Sequence, residues 1–282
     1  MFSERDSSII IRKFYTENPT KKPHYAHTND GHELYLLLNG DVSFSIDGQI
    51  YKLEPYDLLI ISNKEIHRTI IHSDVPHERI YIYFDPQEIA KFNTQKYDLL
   101  QIFEARKLGF GNKIGRELIE KYDIPQYFQQ IYEWSKSTLP EKNAMMLSIL
   151  IQLIIKVSSA FTYPGEEEKV KEDVRYNGKI YLILSYISAN LHKKITLEEL
   201  EKSFFINKYY LCHLFKEMTG FTILEYITYK KISAAKELLK KTYAINEVCV
   251  KLGFEDYSNF YRSFKKVAGI SPQQYVKNYI KK

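Results

Sequence analysis

The chain is poor in cysteine, in tryptophan and in unbroken apolar runs, and each shortage excludes something. Only Cys212 and Cys249 are present, with no metal-ligand spacing between them. They cannot supply a disulfide framework, so a reducing cytoplasm is the expected location. The most apolar segment, AMMLSILIQLIIKVSSAF at 144–161, is interrupted by Ser148, Gln152, Lys156 and Ser158. A membrane span needs about 20 predominantly apolar residues, so a buried core or dimer helix is expected here and no membrane partner. The opening MFSERDSSIIIRKFY carries no long apolar stretch and no cleavage pattern, so no export signal is expected.

What is present fits a globular protein of two domains: 282 residues, 44% apolar, with 24 tyrosines. The formal charge of +5 is unevenly divided. Residues 178–282 hold 18 Lys+Arg against 9 Asp+Glu, whereas residues 1–177 hold 22 against 26. A basic C-terminal third on a mildly acidic remainder points to a polyanion as partner for that end.

Along the chain the hydrophobic period changes. Residues 24–84 read as β structure: ELYLLLNG and DVSFSIDG end in turn signals, Val42, Phe44 and Ile46 alternate, and Asp47-Gly48 marks a hairpin. PYDLLIIS and RIYIYF supply further short strands, a spacing that suits an antiparallel barrel or sandwich. Residues 96–162 shift to helical spacing. The charged stretch YPGEEEKVKEDVRYNG follows, and 163–177 is the expected linker. Residues 178–282 read as helical throughout. The expected organisation is therefore 1–95 β domain, 96–162 helices, 163–177 linker and 178–282 all-α domain.

The all-α part contains a repeat. NKYYLCHLFKEMTGFTILEY (207–226) lies on DYSNFYRSFKKVAGISPQQY (256–275) at a constant offset, matching Leu211 to Phe260, Phe215 to Phe264 and Gly220 to Gly269. Just upstream, LEELE (197–201) lies on INEVC (245–249). Each copy reads as a helix, a short turn, a capped two-faced helix and a terminating glycine, which is a helix-turn-helix unit. At about 100° per residue, Phe260, Phe264 and Val267 form one stripe, while Ser258, Arg262 and Lys265 fall opposite. In the first copy Leu211, Phe215 and Met218 form the stripe, with Tyr209, His213 and Lys216 outward. ITYKKISAAKELLKKT (227–242) between the copies reads as one connecting helix.

The buried stripe fixes such a helix on its domain and frees the other face for the major groove of double-stranded DNA. Arg262 can donate two hydrogen bonds to guanine, Asn259 can pair with adenine, and Tyr209 can touch thymine methyls. Lys208, Lys216, Lys265 and Lys266 suit phosphates. Two heads on one rigid helix would enter successive major grooves about 34 Å apart.

On these motifs residues 178–282 resemble the DNA-binding domain of AraC-type transcriptional regulators. INEVCVKLGFEDYSNFYRSFKKVAGISPQQY carries the resemblance most clearly, supported by ITLEEL, YLCHLFKEMTG and EYITYKKISAAKELL. Departures are Glu201 and Cys249 where a small alanine is usual, Asn207 in place of a common serine cap, and Val276 in place of a frequent arginine. The resemblance implies base contacts from Tyr209, Cys212, His213, Ser258, Asn259 and Arg262. It also implies a homodimer formed through the helices of 96–162, and promoter DNA and RNA polymerase as partners, with activation the commoner outcome.

PHYAHTNDGHELYLLLNG and KLEPYDLLIISNKEIHRT resemble the cupin barrel often joined to such a domain. Metal-binding cupins use two neighbouring histidines, a glutamate and a distant histidine; His27, Glu33 and His67 match, while Tyr25 occupies the first histidine position. Two readings follow. In one, His27, Glu33, Tyr35 and His67 line a pocket for a small polar effector such as a sugar, with no metal, cofactor or catalytic residue. In the alternative, the domain is a metal-dependent cupin enzyme with a helical appendage. The incomplete ligand set favours the sensor. The expectation is an α+β two-domain regulator, not an enzyme: a cupin-like antiparallel barrel with trailing helices, followed by two helix-turn-helix units joined by a long helix.

Overall fold

The computed structural model describes residues 9–21, 27–161, 174–241 and 243–279. Among the described residues the first part of the chain holds eight strands: β1 (Ile9–Thr16), β2 (His32–Asn39), β3 (Val42–Ile46), β4 (Gln49–Lys52), β5 (Leu58–Ile61), β6 (His67–Ile71), β7 (His77–Phe84) and β8 (Lys113–Ile114). They form two antiparallel sheets, ordered β1-β7-β2-β5-β8 and β4-β3-β6. The expected closed barrel is therefore drawn as two facing sheets, bridged outside the named strands by the isolated pair His27–His67. The Asp47-Gly48 signal does make the β3–β4 hairpin. Both residues have positive φ, 43° and 85°, as the twist-matching two-residue turn requires. β1 was not anticipated; its register against β7, from Ile9 opposite Phe84 to Thr16 opposite His77, makes it an edge of the larger sheet.

Strand alternation divides the larger sheet's residues between two cores. Glu33, Tyr35 and Leu37 of β2 share a face with Tyr83, Tyr81 and Arg79 of β7, and this face looks toward Val42, Phe44 and Ile46 of the smaller sheet. Leu34 and Leu36, with Ile82 and Ile80, turn the other way. That second face is covered by helices from α1 (Pro86–Ala90), α2 (Gln101–Glu104), α3 (Arg116–Lys121), α4 (Ile124–Ser135) and α5 (Lys142–Ala160). α5 is long and apolar enough to cross a membrane by composition, yet Met146, Leu150, Leu153, Ile154 and Val157 are buried in this core. Phe128 and Ile131 of α4 are buried there too, each contributing about 1.5–3 kcal/mol by leaving water. α5 exposes Ser148, Gln152, Ile155 and Lys156, while Leu147 and Ile151 are half-buried against the same core.

The rest is helical: α6 (Val174–Ala189), α7 (Leu197–Phe204), α8 (Lys208–Thr219), α9 (Ile223–Lys240), α10 (Ile245–Lys251), α11 (Tyr257–Ala268) and α12 (Pro272–Tyr279). Of the linker expected at 163–177, residues 163–173 lie outside the described residues, and 174–177 are already helical, as the start of α6. α9 joins two separate cores. Its Ile223, Tyr226 and Ile227 pack with Leu211 and Phe215; its Ile232, Ala235 and Leu239 pack with Phe260 and Phe264. Each helix-turn-helix thus has its own interior on one shared rod.

Candidate functional site

Local chemistry sets both two-faced helices. Asn207 caps α8 by accepting from the Tyr209 amide at 2.9 Å, and Asp256 caps α11 by accepting from the Asn259 amide at 2.7 Å. These side chains satisfy donors that the first helical turn leaves free. Gly220 and Gly269 end the helices in the left-handed region, at φ 83° and 74°. Glu201, out of place on a pattern that expects alanine, accepts from the Lys208 amide at 2.9 Å and ties α7 to the start of α8.

The stripes are buried as expected: Leu211, Phe215, Phe260 and Phe264 have no exposure, and Met218 and Val267 are half-buried. Opposite them, Tyr209 is 75% exposed, and His213, Ser258 and Arg262 are exposed. Lys216, Lys265 and Lys266 also stand in solvent. Lys208 is half-buried and sits 3.6 Å from Glu198. Two expected base readers are less free. Cys212 is half-buried against the first core, and half-buried Asn259 accepts from the Ser263 hydroxyl at 3.4 Å.

Between the sheets, Glu33 and His67 meet. His67 Nε2 lies 3.3 Å from Glu33 Oε2, at ion-pair distance but without hydrogen-bond alignment, and both residues are almost fully buried. Burial disfavours the imidazolium, but Glu33 outweighs it and raises the His67 pKa above its ordinary value. Asn29 donates to Glu33 at 2.7 Å. The Tyr83 hydroxyl is held far above its usual pKa, first by burial and then by Glu33. His27 is exposed, with its ring 4.5 Å from that of His67. Tyr35 shares the interior, but its hydroxyl is 2.7 Å from His77 Nε2, a partner that the sequence did not indicate. Among the described residues no three His, Cys, Asp or Glu side chains gather as a metal cage; Tyr25, at the first cupin histidine position, lies outside the described residues. A shallow cleft of about 520 Å³ opens elsewhere, beside α4, and is lined by Lys13, Tyr56, Glu78 and Gln129.

The two halves are in contact, and sequence reading missed how. Asp47, in the β3–β4 turn, accepts from the Tyr226 hydroxyl at 2.6 Å and lies 3.3 Å from Lys230 Nζ, both on α9. Lys230 also donates to the Lys64 carbonyl at 2.8 Å. Burial pushes the Asp47 carboxyl up, against the pull of Lys230. Farther along α9, Lys236 pairs with Asp30 at 2.6 Å, and Asn63 donates to Glu237 at 3.3 Å. The end of α8 joins in: Ser45 donates to the Met218 carbonyl at 2.9 Å, and Arg68 donates to the Glu217 carbonyl at 3.4 Å. A Cβ on Gly220 would stand 2.5 Å from Arg68 Nε, so Arg68 rests directly on this left-handed glycine.

A second node supports this seam. Glu65, fully buried, receives Arg106 at 3.1 and 3.3 Å, Asn112 at 2.9 Å, and the amides of Gly109 and Ser62 at 2.8 Å. It fixes a loop whose Lys107 lies 3.6 Å over the Tyr181 ring of α6, and whose Phe110 meets that ring edge-on. Residues 66–68 connect interior to seam. His67 faces Glu33 between the sheets, while its neighbours Ile66 and Arg68 pack on the first helix-turn-helix unit.

Comparison with known proteins agrees with this division. The family model of an AraC-like ligand-binding domain matches residues 15–153, and a helix-turn-helix domain model matches residues 200–278. An uncharacterized HTH-type transcriptional regulator, YdiP of Escherichia coli K12, is 26% identical over 96% of this chain and 86% of its own length. The lactose operon transcription activator of Staphylococcus xylosus is 23% identical over 86% and 82%. The melibiose operon regulatory protein of E. coli K12 is 30% identical over 38% of this chain and 36% of its own length.

Proposed function

This chain belongs to the AraC-type transcriptional regulators, which are DNA-binding proteins with a ligand-binding domain and not enzymes, and on that premise we propose an activator whose β domain binds a sugar and whose two heads read a direct-repeat operator. The observation that carries the reading is the exposure of Tyr209 and His213 at the positions that Ser258 and Arg262 occupy in the second copy, on units sharing one rigid helix. Arg262 and Tyr209 would read bases, with Cys212, His213, Ser258 and Asn259 beside them. Lys208, Lys216, Lys265 and Lys266 would hold phosphates.

The effector would lie between the sheets on Glu33 and His67, with His27 and Tyr35 nearby. Among the described residues the buried His67 Nε2 has no hydrogen-bond partner, and Tyr81 and Tyr83 lie near its neighbour Glu33, a lining that suits a ligand rich in hydroxyl groups. That the relatives' names include a lactose and a melibiose operon regulator supports a sugar. A ligand moving His67 shifts Ile66 and Arg68 with it, and so biases how firmly the first head is held against the β domain. Such a shift needs different ligand affinity in the two arrangements. The outward face of α5 would pair two copies, and promoter-bound dimers would meet RNA polymerase.

The decisive experiment is selection of duplexes from a random-sequence pool by the full chain, followed by thermal-shift and affinity measurements with a panel of sugars and organic acids. A sugar that raises the melting temperature and changes affinity for the selected duplex is the expected result. Recovery of no preferred sequence would defeat the regulator reading; a response only to organic acids would defeat the sugar. On the selected duplex, Arg262→Ala should cost about 1–3 kcal/mol and relax one base preference. Lys265→Ala should weaken binding to all sequences and flatten its salt dependence. Equal losses for Arg262→Ala on selected and random DNA would remove its base-reading role.

A further inference from the structure

The repeat exposes an anomaly at the turn of the first unit. Aligned from the helix ahead of each turn, Gly253 of the second copy corresponds to Phe205 of the first. Gly253 sits at φ 59°, and a Cβ there would stand 2.5 Å from the His192 carbonyl oxygen, so glycine fits for two reasons. Phe205 adopts the same left-handed conformation, φ 49° and ψ 49°, as the cap of α7. A bulky side chain is a genuine outlier in that region. It is also 92% exposed, so burial in the core does not repay the strain. A residue that is both strained and solvent-facing gains nothing for the folded chain, and such outliers concentrate at functional sites.

Its position identifies what it meets. Phe205 lies two residues before the Asn207 cap, at the end of α8 from which Lys208 and Tyr209 project. In a helix-turn-helix the first helix crosses the backbone and the N-terminal end of the second enters the groove, so the turn between them overlies the groove edge. We infer that Phe205 is a DNA-contacting residue whose ring packs on the apolar rim of the duplex, a deoxyribose face or a thymine methyl, where α8 enters. The inference rests on α8 being the groove helix, as set out under Proposed function. The second unit has no counterpart, so the two heads differ in what they require at this point of their half-sites.

The test compares Phe205→Gly, Phe205→Ala and Tyr209→Ala in the full chain, by affinity for the duplex selected by the unaltered protein and by melting temperature. Burying about half of an aromatic ring is enough for roughly a tenfold effect on affinity, so both Phe205 variants should bind about five- to tenfold more weakly. Phe205→Gly should nonetheless melt about 2–4 °C above both the unaltered chain and Phe205→Ala, because only glycine relieves the backbone. Higher stability with lower affinity is a combination that a structural role does not produce. Unchanged affinity in Phe205→Gly, alongside a loss in Tyr209→Ala, overturns the role of Phe205 alone. Unchanged affinity in Tyr209→Ala as well overturns the assignment of α8.

Discussion

Asp47→Asn should destabilise the chain by about 3 kcal/mol or more, although it removes no heavy-atom contact. Asn tolerates the left-handed turn at φ 43° and keeps an acceptor for Tyr226, so neither strain nor a lost neighbour confuses the result. What disappears is the charge opposite Lys230, whose residue is 5% exposed and whose ammonium is left with the Lys64 carbonyl and a neutral amide oxygen. The double variant Asp47→Asn with Lys230→Met should recover most of the loss, because replacing both members of a buried pair is far cheaper than orphaning one.

Lys230→Met alone should show the complementary pH dependence. Burial already raises the folded-state pKa of Asp47 above its unfolded value, and losing the ammonium raises it further. The folded state then holds the proton more tightly than the unfolded one. The contribution of Asp47 is therefore most favourable at low pH and is lost as pH rises through the folded pKa. The deficit of Lys230→Met against the unaltered chain should be small in acid and full at neutrality, as read by urea unfolding across that range. A deficit independent of pH would mean that Asp47 and Lys230 do not face each other. Because the pair joins the β domain to α9, Asp47→Asn should also bind the selected duplex more tightly without effector, if contact with the β domain restrains the first head.

How far the sequence discloses this molecule depends on the range of each signal. The caps Asn207 and Asp256, the stops Gly220 and Gly269, and the stripes through Phe215 and Phe264 are local, and a 3.6-residue period shows them directly. The same holds for the Asp47-Gly48 turn. The partner of Asp47 is about 180 residues away on α9, and no period connects them. Within ITYKKISAAKELLKK, Lys230, Lys231 and Lys236 look like solvated charges between apolar positions, yet all three are buried. Lys231, for instance, donates to the carbonyls of Lys193 and Gly253 at 3.0 and 3.1 Å. Glu65 and Arg106 are silent for the same reason: each is an ordinary charged residue until the fold brings them together. β1 was missed because IIIRKFYT, with apolar residues crowded at one end, alternates too weakly to declare a strand. Of the residues proposed to hold an effector, Glu33 and His67 are legible in the sequence and do meet, whereas His77, the partner of Tyr35, is not.

Phe264→Ala should disable one head and spare the other. Phe264 is fully buried between Phe260 and Tyr275, with ring centroids 5.7 and 5.5 Å away, and truncating a packed phenylalanine costs about 3–5 kcal/mol. A unit this small has little core to absorb such a loss. Its core, with Ile232, Leu239 and Val248, is separate from the one around Phe215. Amide exchange should therefore rise across 245–279 while 197–226 stays protected. Affinity for the two-part duplex should fall by about 10²–10⁴, the gain that linkage of two sites provides, and protection should shrink to one half-site. Equal deprotection of both units would show that α9 couples them into one cooperative block. Phe215→Ala should behave differently, because Phe215 contacts Tyr226, the residue that donates to Asp47, and its core includes Ile66 from the β domain. Loss there should loosen the seam between domains as well as the first head, and abolish any effect of the effector on DNA affinity.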